Sequence, residues 1–468
     1  MFIFSRRWLQ RCIDDLAAIL DADALHKIVA RLNRRGMGRL PAMWELVFLK
    51  ALSRSGQLRH EVQLPNGRNP DFEWTLADGG REVCVWGDIT TVSDAGLDEK
   101  NPVDHLCSEI TRLARKYKLK PNHFRFDVRG GRVGEYRKSA MELFLPKRGE
   151  LQELIKAHVE PFIRNVSQAP HRNAHFDYKE VDADFSVTYD QSQAFAGGGY
   201  LCYDVAVSLT NNPIFKALKA KTAQLSCAPD DALRLIILCD ADCAAMRHDP
   251  LSSTAYSSGS IAAEFLRQSK SVDAVLLATV RSISHGILLP RELALKFDLV
   301  VSRAESRPLR MSDERCAVME EALNRAVAVF PSPQLEPQNA VRRCFESGYG
   351  YGKRGAHSMS QKTIKISSRA LLQLLAGDIS QDTFLKEHGW TESEFRPSYP
   401  NPFQMALKRG DMFKVVRVEG GGDADDDWIA FDLTDPDPSI SPFRSVGARP
   451  PVASPRKLPS NPDEAAKD

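Results

Sequence analysis

The chain of 468 residues lacks several things, and each absence narrows what it can be. No stretch approaches the roughly 18 consecutive apolar residues of a membrane-spanning helix, so no membrane role is expected. There is no net charge to speak of: 63 Lys and Arg stand against 61 Asp and Glu, which excludes a globally basic nucleic-acid binder but not a local basic face. Cysteine is sparse, odd in number and scattered: nine residues, with Cys84, Cys202 and Cys239 inside apolar patterns. Cys239 and Cys243 have no second pair at zinc spacing. A disulfide framework and a zinc finger are therefore excluded, and reduced thiols in a cytoplasmic protein are expected. The opening Met-Phe-Ile-Phe-Ser-Arg-Arg-Trp carries its charge after a short apolar patch, the reverse of a signal peptide. No internal repeat is visible, which argues against a solenoid.

What is present is an ordinary globular composition, 43% hydrophobic and 26% charged, on a chain long enough for more than one core. Charge is segregated along it. Residues 1–60 carry eleven Lys/Arg against five Asp/Glu, residues 342–369 seven against one, and residues 411–440 two against nine. Periodicity predicts helices over 8–32 and 40–54, then strands over 60–64, 72–77 and 82–90. A helix over 102–116 and a strand over 124–128 follow. Residues 130–195 show no clear pattern and read as an insertion. The alternation resumes with strands at 200–209, 233–239 and 274–280 and helices at 213–225 and 261–268. This is an α/β domain over 1–300, with helices flanking a mixed sheet. Residues 301–361 read as a helical connector and a basic linker, and 362–445 as a small α+β domain with an acidic hairpin. Residues 446–468, rich in Pro, Ser, Arg and Lys, read as a disordered tail.

The most informative stretch is 70–90. Gly79-Gly80 is a two-residue loop that accepts positive φ at both central positions, so the segment reads as a β-hairpin. If Asp78 pairs with Arg81, Asp71 falls opposite Asp88. Two facing carboxylates repel unless one is protonated, both reach water, or a cation lies between them. Asp88 shares a strand face with Cys84, Trp86 and Thr90, and apolar residues occupy the other face, so the carboxylate is expected to be buried. Upstream, Glu45 shares a helical stripe with Phe48, Leu49 and Leu52. Three hard oxygen ligands, Glu45, Asp71 and Asp88, suit Mg²⁺ or Mn²⁺.

An acid on an N-terminal helix, Pro70-Asp71 at the start of a hairpin and Asp88 late in the next strand resemble the PD-(D/E)xK nuclease superfamily. The resemblance covers the element order from about residue 40 to 280, while the motif itself is a few residues. It implies a restriction-endonuclease-like fold, metal-dependent hydrolysis of DNA phosphodiester bonds, and a setting such as restriction or antiviral defence. It also implies that Asp71 and Asp88 bind the metal and that Glu45 completes the site. The chain departs from the pattern at one place: the family's lysine, two residues after the second acid, is Thr90 here. Lys221 can stand in for it. In the helix that begins at Pro213, Lys221 falls on the stripe of Leu218 and Leu225, whereas Lys216 and Lys219 point elsewhere. Gln224, on the same face, and Thr90 are possible assistants.

Other signals are weaker. Asp240 and Asp242 follow an apolar strand and read as a strand-to-loop exit. His171 and His175 lack a third ligand. Gly348-Tyr-Gly-Tyr-Gly-Lys-Arg-Gly fails the P-loop pattern at Ser347 and Arg354. As a basic, tyrosine-bearing segment it can instead meet a nucleic-acid backbone, with Arg342, Arg343, Lys353 and Arg354 as contacts. Asp423-Ala-Asp-Asp-Asp-Trp fails the calcium-loop pattern at Trp428 and Thr434. Two alternatives to a nuclease stand beside it. One is a degenerate nucleic-acid-binding module marked by Thr90. The other is a scaffold subunit whose C-terminal domain binds a partner protein through the acidic hairpin.

Overall fold

A computed structural model describes residues 2–440 except 35, 37, 79–80, 95–100, 136–139, 171, 194–196, 201–205, 248–254, 284–291, 303–311, 344–356, 360–361, 392–399, 423–424 and 438. The tail at 446–468, His171, Lys353, Arg354 and the Gly79-Gly80 loop thus lie outside the described residues. Two compact units are present. One comprises Met1–Arg354 with Glu392–Pro397 and Gly421–Asp427; the other comprises Gly355–Thr391, Ser398–Gly420 and Trp428–Asp468.

The first unit opens with helices α1 (Arg6–Leu16) and α2 (Ala22–Asn33) rather than one helix over 8–32. Asp21 makes the break: its backbone is extended and its carboxylate accepts a hydrogen bond from Ala24 N at 2.8 Å, capping the second helix. Helix α3 (Arg39–Ser55) is apolar on nearly every side and accordingly buried. Strands β1 (Gln57–His60), β2 (Phe72–Asp78) and β3 (Arg81–Val92) form an antiparallel meander. The first of these ends at His60 rather than beginning there.

The hairpin register is the expected one, with Phe72 paired to Gly87 and Asp78 to Arg81. Gly87 helps fix it. A Cβ there would lie 2.1 Å from Phe72 Cζ, so only glycine lets the phenyl ring cross the strand.

A long excursion follows β3. Helix α4 (Val103–Lys116) leads to strands β4 (Phe124–Val128), β5 (Gly130–Val133), β6 (Ala140–Leu143), β7 (Ala174–Lys179), β8 (Asp184–Tyr189) and β9 (Gly197–Tyr200). Helices α5 (Arg148–Leu154) and α6 (Glu160–Gln168) lie between β6 and β7. The region read as an insertion over 130–195 joins α4, β4 and β9 on either side of it in a separate four-stranded sheet, ordered β7-β8-β4-β9, with an apolar core around Phe126, Phe185 and Ile155. The strand expected over 200–209 is not formed over 206–209; β9 ends at Tyr200 and pairs with β4 instead.

The chain returns through α7 (Pro213–Leu225) to β10 (Leu233–Asp240), α8 (Ala244–Arg247), α9 (Ser258–Gln268), β11 (Ala274–Ile283) and β12 (Glu292–Val301). The main sheet is β1-β2-β3-β10-β11-β12, with β10 parallel to both β3 and β11 and β12 antiparallel at the edge. All eight residues of β10 are buried, as a strand covered on both faces requires. One face packs on α1, α3 and α10 (Asp313–Val327) and the other on α7 and α9. Helix α11 (Pro337–Arg343) follows. The second unit carries strands β13 (His357–Met359), β14 (Thr363–Ser367), β15 (Phe413–Glu419) and β16 (Trp428–Leu433), with helices α12 (Ser368–Leu375), α13 (Gln381–Glu387) and α14 (Pro402–Arg409). The architecture is mixed α/β, and no described helix is long and apolar enough to cross a membrane.

Asp240 and Asp242 lock the exit of β10. Asp240 Oδ1 accepts from the amides of Asp242 and Cys243, both at 2.9 Å, and from Arg247 Nη1 at 3.1 Å. Burial pushes the Asp240 carboxyl up to about 6 despite Arg247, so its charge costs the folded state something at neutral pH. The amide of Asp240→Asn keeps an acceptor for both N–H groups and removes that cost. It also forfeits a charged bond of about 1.5–3 kcal/mol. The two offset, and urea denaturation at neutral pH is expected to show a change of about 1 kcal/mol or less. A loss of about 3 kcal/mol would show that the charge, not the acceptor, holds the loop.

Candidate active site

Three elements bring charged side chains together beside the hairpin. Past the Phe72–Gly87 pair, the chain places Asp71 beside Asp88. Asp71 Oδ2 accepts from the backbone N–H of Ile89 at 2.7 Å, which ties the entry of β2 to β3. Asp88 is fully buried, as the strand alternation implies. Helix α7 supplies the counter-charge: Lys221 Nζ lies 3.1 Å from Asp88 Oδ1. The helix starts cleanly because Asn212 caps it, accepting from Phe215 N at 2.8 Å, with Pro213 in its first turn. That start fixes the stripe on which Leu218, Lys221 and Leu225 lie. Lys216 and Lys219 are exposed.

The electrostatics of the pair are those of two acids forced together. Burial, then the charge of Asp88, holds the Asp71 carboxyl well above the usual carboxylate range; Lys221 opposes both. Asp88 is raised as well, by burial first, against the pull of Lys221. Both carboxyls of the pair are thus harder to ionise than that of an ordinary aspartate. Asp88 Oδ2 is buried and has no hydrogen-bond donor. A buried carboxylate oxygen in that state calls for a proton or a cation.

Glu45 takes a different place from the one the sequence suggested. Its Oε2 lies 2.6 Å from Arg31 Nη2, and its Oε1 lies 3.7 Å from His60 Nε2. Burial would raise its carboxyl, but His60 and Arg31 outweigh burial and hold it below the usual range. Glu45 is close enough for its charge to bear on both Asp71 and Asp88. Yet among the described residues no three of His, Cys, Asp and Glu converge to hold one metal ion. The expected three-ligand set is not assembled, because Arg31 and His60 engage the glutamate.

The residues able to hold a divalent cation are Asp71 and Asp88. Their donor set fits Mg²⁺ or Mn²⁺, since Mg²⁺ is commonly held by one or two carboxylates with water and substrate phosphate completing the shell. The unsatisfied Oδ2 of Asp88 is the observation that favours this fit.

Thr90 is half-buried, two residues past Asp88 on the same face. Gln224 is half-buried three residues beyond Lys221, with no hydrogen bond to either aspartate among the described contacts. Arg342 and Arg343 close helix α11, but their side chains lie outside the description, as do Lys353 and Arg354 entirely.

Sequence reasoning missed Arg31 and His60. The periodicity of α2 marks Ile28 and Leu32 as core but gives no sign that Arg31 reaches the next helix. His60 becomes visible as a site residue only through its pairing with Phe72, the neighbour of Asp71. A segment of ten residues separates β1 from Asp71, and the Pro65-Asn66-Gly67 turn within it does not by itself set that register. Compared with family models, with curated proteins and with solved structures, the chain matches none.

Proposed function

We propose that the chain is a metal-dependent deoxyribonuclease of the restriction-endonuclease-like type, in which Asp71 and Asp88 hold Mg²⁺ or Mn²⁺ and Lys221 replaces the motif lysine. The observation that carries this reading is the 3.1 Å contact between Lys221 and Asp88. It favours an active site over a degenerate scaffold because both charged groups are kept, a lysine from another helix meeting a fully buried aspartate. The sheet order supports the same reading, since an antiparallel hairpin followed by parallel strands places the acids at the hairpin's open end beside α7.

In this reading the bound cation supplies Lewis-acid stabilisation of the phosphate and lowers the pKa of water. The chain's own residues do the remainder. Asp71 and Asp88, both harder to ionise than ordinary aspartates, would ionise to fix the cation's position. Lys221 is a donor beside the same carboxylate, placed to orient the attacking water or to meet charge developing on the phosphate. Ile89 N–H holds Asp71 in its rotamer.

The direct test is incubation of supercoiled and linear DNA with the purified chain in Mg²⁺ or Mn²⁺, and in a chelator. Metal-dependent cleavage is expected, with nicked or linear product from the supercoiled form. Stable DNA binding without cleavage in either metal would remove the enzyme and leave a nucleic-acid-binding module.

A further inference from the structure

We propose that Arg31 contacts a substrate phosphate beside the scissile bond and that Glu45 is the positioning residue that holds it there. This deepens the nuclease reading and rests on it. The geometry begins with the guanidinium. Arginine has five N–H donors in a planar fork. Only one contact of Arg31 is made among the described residues, from Nη2 to Glu45 Oε2 at 2.6 Å. The side chain is 45% exposed, while that of its partner carboxylate is 11% exposed. One edge of the fork is therefore anchored to the protein and the rest is free to meet an anion, an arrangement suited to phosphate.

Glu45 is itself clamped. His60, nine-tenths buried and with neither ring nitrogen hydrogen-bonded, faces its second oxygen at 3.7 Å. The glutamate stands in the buried helix α3, so the anchor is rigid. It is also near the two aspartates, whose carboxyls feel its charge. His60 pairs with Phe72, the neighbour of Asp71, so the anchored guanidinium is joined to the acid pair through Glu45, His60 and the β1–β2 pairing.

The surrounding sequence has the composition this role requires. Residues 24–44 contain Lys27, Arg31, Arg34, Arg35 and Arg39 and no Asp or Glu. A stretch without acids, ending at the site, is an electrostatic path for a polyanion. A surface ion pair alone would not explain why the acid partner is buried and doubly engaged.

The experiment compares the unaltered protein with Arg31→Gln, Glu45→Gln and the double variant. Binding of a short DNA duplex is measured across a salt series, with Ca²⁺ in place of Mg²⁺. Cleavage is measured across a Mg²⁺ series. Arg31→Gln is expected to reduce the slope of log affinity against log salt by about 0.9, the loss of one phosphate contact. Glu45→Gln is expected to give most of the same reduction, and the double variant no more than Arg31→Gln alone. The Mg²⁺ concentration for half-maximal cleavage should shift far less in Glu45→Gln than in Asp71→Asn, because Glu45 acts on the cation seat only through its charge.

An unchanged salt slope in Arg31→Gln overturns the phosphate contact. A Mg²⁺ requirement raised as far in Glu45→Gln as in Asp71→Asn overturns the positioning role and makes the residue a metal ligand. If the unaltered protein binds DNA with the expected Arg31 dependence but cleaves nothing, the catalytic reading fails while the phosphate contact stands. If it binds no DNA, both fail.

Discussion

Asp88→Ala is expected to reduce DNA cleavage to background in Mg²⁺ or Mn²⁺, and Lys221→Met to lower it by about 10²- to 10³-fold, the usual effect of removing one donor aimed at developing charge. The two substitutions separate the cation seat from the donor beside it. Without Asp88, a cation keeps only Asp71, whose second oxygen is already bound to Ile89 N–H. Without Lys221, both carboxylates remain but the water or phosphate loses its partner. The lysine variant also raises the cost of ionising Asp88, because Lys221 is its cationic contact among the described residues. Part of the activity loss should then be recovered by raising pH or metal concentration. The loss that remains at saturation is the share of Lys221 in the reaction.

Thr90 provides a second check. In Lys221→Met, the further change Thr90→Lys places an amine two residues past Asp88 on the same strand face, where the family pattern has it. Partial recovery of cleavage is expected. Unchanged activity in Asp88→Ala would dismiss the site altogether, and full activity in Lys221→Met would show that the 3.1 Å contact serves only to neutralise a buried charge.

The parts of this site that the sequence displayed are those set by local rules. Two glycines and an alternating pattern are enough for the hairpin, and once its register is set Asp71 and Asp88 must be neighbours. Pro213 and the apolar stripe behind it are enough to orient Lys221. The remainder depends on contacts between residues far apart in the chain. Whether α2 crosses α3 so that Arg31 meets Glu45 is decided by packing of Ile28 and Leu32 in the first core, not by any spacing. The same applies to the region after residue 130. Its strands are short and its pairings nonlocal, and β9 closes onto β4 in parallel across some seventy residues. Short strands with glycine-rich sequence such as Gly197–Tyr200 carry almost no alternation to read. The edge strand β12 was missed for a related reason: its residues are half-exposed along most of its length, which blurs the period.

The paired aspartates also make the stability of the first unit depend jointly on pH and on divalent cation. The sign follows from the direction of the shift. Asp71 holds its proton well above the 3.8 of an ordinary aspartate, and Asp88 is shifted the same way. Over the window that begins near that value and extends upward through the folded-state titration, the folded chain therefore binds more protons than the unfolded one. Stability then falls as pH rises. The contribution is complete below the ordinary carboxylate range and is lost above the folded-state value, where the pair must carry two charges offset by Lys221 and the Ile89 N–H.

If the two carboxylates hold a divalent cation as proposed, its charge offsets theirs and it competes with protons, so it should bind more tightly as pH rises. At a free concentration of about 100 times its dissociation constant it would stabilise the fold by about 2.7 kcal/mol. Thermal unfolding with and without Mg²⁺ or Mn²⁺ across a pH series is expected to show a metal-dependent rise in Tm that grows with pH and disappears in Asp88→Asn. Calorimetric titration in buffers of different ionisation enthalpy should report proton release on binding, largest where the pair is still protonated. A Tm shift independent of pH, or one retained in Asp88→Asn, would place the cation elsewhere. In that event the proton alone accounts for the tolerance of two facing aspartates.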